Sequence, residues 1–205
     1  RKKPLRNVDF RIDGGRAVFT AEVIDDTPLV NVAREIGAVF KGGDAVGFEI
    51  GPADAAARLE AIPERDGRRR YIGVNRILAA RIGGKNRVIA FKPFTEGEKK
   101  PISYFTPAGG KSEFEFIGEV PGAEVEFVVD GEKGYRVKMS LPAEFLELDA
   151  SGGYAFEAEA LLSGQGPRGL GTVERCYLHS PVSSSTTMTD DVPTESRLYP
   201  KGWRR

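Results

Sequence analysis

The 205-residue chain is poor in the residues that build reactive centres. It has one cysteine, Cys176, one histidine, His179, one tryptophan, Trp203, and two methionines, Met139 and Met188. A single cysteine excludes an internal disulfide and any cysteine-based zinc site. A single histidine excludes a histidine-rich metal site. Charge of one sign is lacking too: 30 Lys plus Arg balance 30 Asp plus Glu. That balance removes a whole-chain electrostatic case for nucleic acid, and the short basic runs Arg1–Lys3 and Arg68–Arg70 read as solvated. No apolar run approaches the ~20 residues of a membrane-spanning helix. No signal peptide is visible, and a chain opening on Arg1 is expected to be a processed form or a piece of a longer protein. Gly-x-Ser-x-Gly, His-Glu-x-x-His and phosphate-loop patterns do not occur, and the glycine-rich Gly164–Gly171 lacks a P-loop's lysine. Among thirty acids, sequence cannot single out the carboxylate pair a glycosidase needs. No enzyme is expected.

What the chain does have is alternation of period two. Tyr135, Val137, Met139 and Leu141 fall opposite Arg136, Lys138 and Ser140. Val125, Phe127 and Val129 fall opposite Glu124, Glu126 and Val128. Phe114 and Phe116 alternate with Glu113 and Glu115, and Phe156, Ala158 and Ala160 with Glu157 and Glu159. Such runs predict strands with one buried and one wet face. Asp13-Gly14-Gly15, Gly83-Gly84-Lys85-Asn86, Asp130-Gly131 and Ser151-Gly152-Gly153 supply turn chemistry between them. Arg76–Ile82 and Arg87–Pro93 are expected to form a hairpin around the second of these. Helical signal is thin: two or three turns over Pro52–Ile62, and one turn over Ala143–Leu148 after Pro142. The expected fold is all-β, an antiparallel β-sandwich of immunoglobulin or jelly-roll type with one or two short helical turns. No linker divides the chain, so residues 1–205 read as one domain. Residues 1–16 are expected to be a partial first strand or linker, and 179–205 a C-terminal loop and closing strand.

The rare residues of Glu174–Asp191 invite a site reading. Cys176 reads as a buried, inert thiol. His179 could bond a sugar hydroxyl or hold a metal, and with Met188 could ligate haem, although the serine- and threonine-rich segment between them offers little apolar surface. Met139 alternates into the core. Asp25-Asp26, Asp44 and Asp190-Asp191 are oxygen ligands of the type calcium takes, or turn formers and caps; Asp190 and Asp191 are the candidate calcium pair.

The order of several motifs resembles carbohydrate-binding module family 9 and its wider group of DOMON-like sandwiches. Val18–Val30 (VFTAEVIDDTPLV) is similar to an early strand ending in an Asp-Asp pair. Val39–Gly51 (VFKGGDAVGFEIG) is similar to a strand entered through Lys-Gly-Asp. Gly134–Leu148 resembles a strand ending in proline and one helical turn. Arg175-x-Tyr177, Asp191-x-Pro193-x-Glu195 and Pro200-x-x-Trp203 resemble the group's C-terminal signature. The resemblance implies a non-catalytic sugar-binding module of a larger secreted or periplasmic bacterial protein, partnered by polysaccharide or oligosaccharide and by that protein's other domains. It implies structural calcium in some members and haem b in a related branch. A sandwich that has lost sugar binding and serves structure or interaction is the alternative. Where many relatives carry tryptophan, this chain has Leu178, so Trp203 has no second tryptophan to form a clamp. The sugar platform would come from Tyr71, Tyr104, Phe105 or Tyr177, since flat rings pack on sugar C–H faces. Arg175, Arg76, Asn75 and His179 would supply hydrogen bonds, a guanidinium fork matching two hydroxyls or an anion.

Overall fold

The computed structural model describes residues 4–55, 74–93, 102–105, 111–148, 153–167, 169–179 and 184–185. They form two antiparallel sheets. The smaller has β1 (Leu5–Asp13), β2 (Arg16–Val23), β9 (Tyr135–Pro142) and β8 (Glu124–Val129), in that order. The larger has β12 (Ser184–Ser185), β11 (Gly169–Tyr177), β10 (Tyr154–Gly166), β3 (Ala45–Pro52), β4 (Asn75–Ile82), β5 (Lys85–Pro93), β7 (Lys111–Glu119) and β6 (Ile102–Phe105), in that order. The expected all-β sandwich is what the chain forms. Among the described residues no helix is long and apolar enough to cross a membrane.

Turn chemistry sets the hairpins. Gly83 and Gly84 both take positive φ, 57° and 77°, and join β4 to β5 in register from Ile82↔Lys85. A two-residue turn of that shape matches the right-handed twist of the strands it connects. Helical content is as thin as the composition suggested. Ala143–Leu146 forms a single 3₁₀ turn after Pro142, and Ile36–Lys41 forms another. The helix expected over Pro52–Ile62 lies outside the described residues beyond Ala55.

The main core lies between the sheets. Phe19, Val137, Met139 and Leu141 from the small sheet meet Phe48, Ile50, Ile77, Ala79, Phe156 and Ala158 from the large one. Phe10 stacks on Phe156 with centroids 5.0 Å apart and tilts against Phe48 at 5.1 Å. Such aromatic pairs add roughly 0.5–1.5 kcal/mol each beyond the area they bury.

The expectation of one wet face fails for the centre of the large sheet. β3 is buried along seven successive positions and β10 along nine. The reason is a second core on the outer face, where Val39 and Phe40 of the 3₁₀ turn pack on Ala45, Leu78, Ala80, Ile89, Phe91, Phe114 and Leu161. Glu157 and Glu159, read as solvent-facing, are therefore buried at 3% and 1% exposure.

The pairing of Phe114 with Phe116 also fails. The β5–β7 register shifts between Lys92 and Pro93. An irregularity of that kind turns side chains to the opposite face. Phe116 accordingly packs against the inter-sheet core and Phe114 joins the outer one. Val129, expected to face inward, ends its strand 45% exposed.

Candidate functional site

The outer face of the large sheet carries a buried polar grid beside the second core. Register fixes its rows. Glu157 on β10 lies opposite Glu49 on β3, which lies opposite Arg76 on β4. In the next row Tyr177 on β11 lies opposite Glu159 on β10, which lies opposite Gly47 on β3. In the row after that, Arg175 lies opposite Leu161. Period-two geometry puts all of these side chains on one face.

Arg76 reaches diagonally across β3 to Glu159. Its Nε donates to Oε1 at 2.6 Å and an Nη to Oε2 at 2.7 Å, a two-pronged ion pair with side chains 2% and 1% exposed. Gly47 lies along that path and presents no side chain. A Cβ there would overlap the carbonyl oxygen of Ile77. Phe40 closes the grid on the side of the second core. The guanidinium carbons of Arg76 and Arg175 stand 5.7 and 5.8 Å from its ring centroid, within cation–π range. Glu157 turns back on the backbone: its Oε1 accepts from the N–H of Ala158 and of His179, each at 3.0 Å. His179 Nδ1 lies 3.4 Å from the same oxygen, with the imidazole 18% exposed.

Burial governs the electrostatics. Burial pushes the Glu49 carboxyl well above the usual carboxylate range; Glu159 adds to the rise and Arg76 opposes it. Burial works against the charge on Arg76, but the Glu159 carboxylate more than offsets this and the net shift is upward. Burial and Glu159 both push the Tyr177 phenol up, so it stays a neutral hydroxyl. Glu49 Oε2 and the Tyr177 hydroxyl are buried and make no hydrogen bond among the described residues. Buried polar atoms without partners are rare in native folds and call for a specific explanation.

A second polar cluster sits where the crossover from β2 to β3 meets β10. Asp44, fully buried, accepts from the N–H of Val30 at 2.8 Å and of Ser163 at 2.6 Å, and from Ser163 Oγ at 3.0 Å. Thr27 joins Asp25 to Ser163 through contacts of 2.9 and 3.3 Å. Burial raises the Asp44 carboxyl to about 6, and the backbone donors oppose that rise. Both of its oxygens face N–H donors, the reverse of the surroundings a cation ligand needs.

Of the sugar-binding residues expected from sequence, Arg76, Arg175 and Tyr177 come together on this face with His179 at its rim. Asn75 does not join them. It points to the opposite side and donates to the carbonyl of Leu146 at 2.8 Å, tying the 3₁₀ turn to the sheet. Tyr71, Asp190, Asp191 and Met188 lie outside the described residues, as do the ring of Phe105 and that of Tyr104, whose backbones belong to β6. Cys176 is buried at 5% exposure and not in a disulfide. Met139 is fully buried in the inter-sheet core. Among the described residues no group of three or more His, Cys, Asp or Glu is placed to hold a metal ion.

Sequence reasoning missed Glu49, Glu157, Glu159 and Phe40. The one available signal was the acidic residue in each otherwise apolar strand: Glu49 in AVGFEIG, Glu157 and Glu159 in AFEAEALL. No protein family, curated protein or solved structure matches the chain.

Proposed function

We propose that the protein is a non-catalytic carbohydrate-binding module, and that the outer face of its large sheet is the binding face. The observation that carries this reading is the convergence of Arg76, Arg175, Tyr177 and His179 with three glutamates on that face. Sugars are recognised by planar guanidinium forks, carboxyls and phenols, which match hydroxyls in donor and acceptor. The same reading makes the chain an accessory part of a larger secreted or periplasmic bacterial protein, as the motif order implies. Calorimetry of the purified chain against soluble oligosaccharides, together with a glycan array, tests it. Saturable binding of at least one glycan is expected. No binding across both panels would sink it.

A structural or interaction module is the second reading, favoured by the fact that the Arg76–Glu159 pair is satisfied internally. A stable, folded chain that binds no glycan would select it.

A further inference from the structure

This inference rests on the sugar-binding reading. We infer that Glu49 and Tyr177 are the residues that hold the ligand, and that they hold a pair of uncharged hydroxyl groups. The other polar members of the face are already engaged with protein. Glu159 is taken by both prongs of Arg76. Glu157 is taken by the N–H groups of Ala158 and His179. Arg76 and Arg175 both lie against Phe40. Glu49 Oε2 and the Tyr177 hydroxyl, with residue exposures of 3% and 6%, have no hydrogen bond among the described residues.

Their chemistry selects the ligand group. A phenol donates one hydrogen bond and accepts another, and so does a carboxyl in its acid form. The surroundings of Glu49 favour that acid form: Glu157 faces it from β10, and Glu159 is close enough to raise it further. Two groups that each donate and accept match alcohol hydroxyls. A carboxylate or phosphate would use only their donor side and an ammonium only their acceptor side, whereas a hydroxyl uses both. An anionic ligand would also have to share a buried face with Glu49, Glu157 and Glu159.

Calorimetry with soluble neutral oligosaccharides, such as xylo- and cello-oligosaccharides, separates this inference from the reading beneath it. Wild type, Glu49→Gln, Glu49→Leu and Tyr177→Phe are compared, with a thermal melt of each as folding control. A carboxamide keeps one donor and one acceptor, so Glu49→Gln should bind within about threefold of wild type, whereas losing a buried hydrogen bond should cost about tenfold in affinity in Tyr177→Phe and Glu49→Leu. Tyr177→Phe keeps the ring and serves as the deciding variant should Glu49→Leu not fold. If the wild type binds and Tyr177→Phe binds equally well, the inference is overturned while the sugar reading stands. Stronger binding of uronic-acid oligosaccharides than of neutral ones overturns it in the same way. If the wild type binds no sugar, the reading falls and the inference with it.

Discussion

Arg76 and Glu159 lie on strands separated by a third, yet their side chains meet in parallel hydrogen bonds of 2.6 and 2.7 Å across Gly47. Both are almost fully buried. Removing one member leaves an uncompensated charge in a low-dielectric setting. Glu159→Leu or Arg76→Met alone is expected to lower stability by roughly 3–5 kcal/mol, and the double substitution to recover most of that loss. Urea denaturation of the single and double variants checks it. Additive losses in the double variant would contradict it.

Gly47, on the strand between this pair, has no room for a side chain. Any Cβ at this position runs into the backbone of β4 rather than into a side chain that could turn aside. Gly47→Ala is expected to cost at least about 2 kcal/mol, toward the upper part of the range for overpacked sites. The reference is Gly84→Ala, where a Cβ meets nothing and the strain arises only from the positive φ of 77°. Denaturation midpoints of the two variants give the comparison.

Asp44 makes stability depend on pH in the direction opposite to a salt-bridged carboxylate. Its carboxyl rises from an ordinary 3.8 to about 6, so the folded state holds this proton more tightly than the unfolded chain does. The stabilisation is fully present below about pH 3.8 and is lost as pH rises through about 6. A shift of that size corresponds to about 3 kcal/mol at most. Glu49 contributes with the same sign. Asp44→Asn is less stable at acid pH, because its amide places a donor among N–H donors. Its deficit relative to wild type should shrink by about 2 kcal/mol between pH 4 and pH 7. Urea titrations of both proteins across that range measure the difference, and a deficit constant with pH would refute the assignment.

Cys176 packs into the inter-sheet core at 5% exposure. A buried thiol that donates to a carboxylate, here Glu174 Oε1 at 3.6 Å, gains no help in ionising and reacts slowly. A chromogenic disulfide reagent should label the native protein only at the rate of unfolding and the denatured protein at once. Rapid labelling under native conditions would place Cys176 elsewhere.

Some parts of the site were legible in the chain and others were not. Arg175 and Tyr177 stand out because they alternate with Cys176, and a period-two strand brings them to one face. Arg76 stands out at the start of a strand for the same reason. Asn75 misled because adjacent residues of a strand face opposite ways, and nothing local says which face will hold the site. Glu157 and Glu159 misled because alternation with apolar residues is the pattern of a solvated face. It becomes the pattern of a buried ion-pair grid only when another segment covers the sheet. Here the 3₁₀ turn Ile36–Lys41 does part of the covering, and its Phe40 lies far from those glutamates in sequence.

The sequence by itself determined the strands, their turns and the class of fold. Period-two alternation and glycines at positive φ are local properties, and each hairpin can be read within its own few residues. Only the tertiary structure decided which strands share a sheet, which face of the large sheet is covered, and which charges meet. Those outcomes come from strands far apart in the chain. The β10–β3 pairing sets Glu157 opposite Glu49, and the diagonal over Gly47 sets Arg76 against Glu159. A buried charge is tolerated only where its partner arrives by such long-range pairing, and no local pattern carries that information.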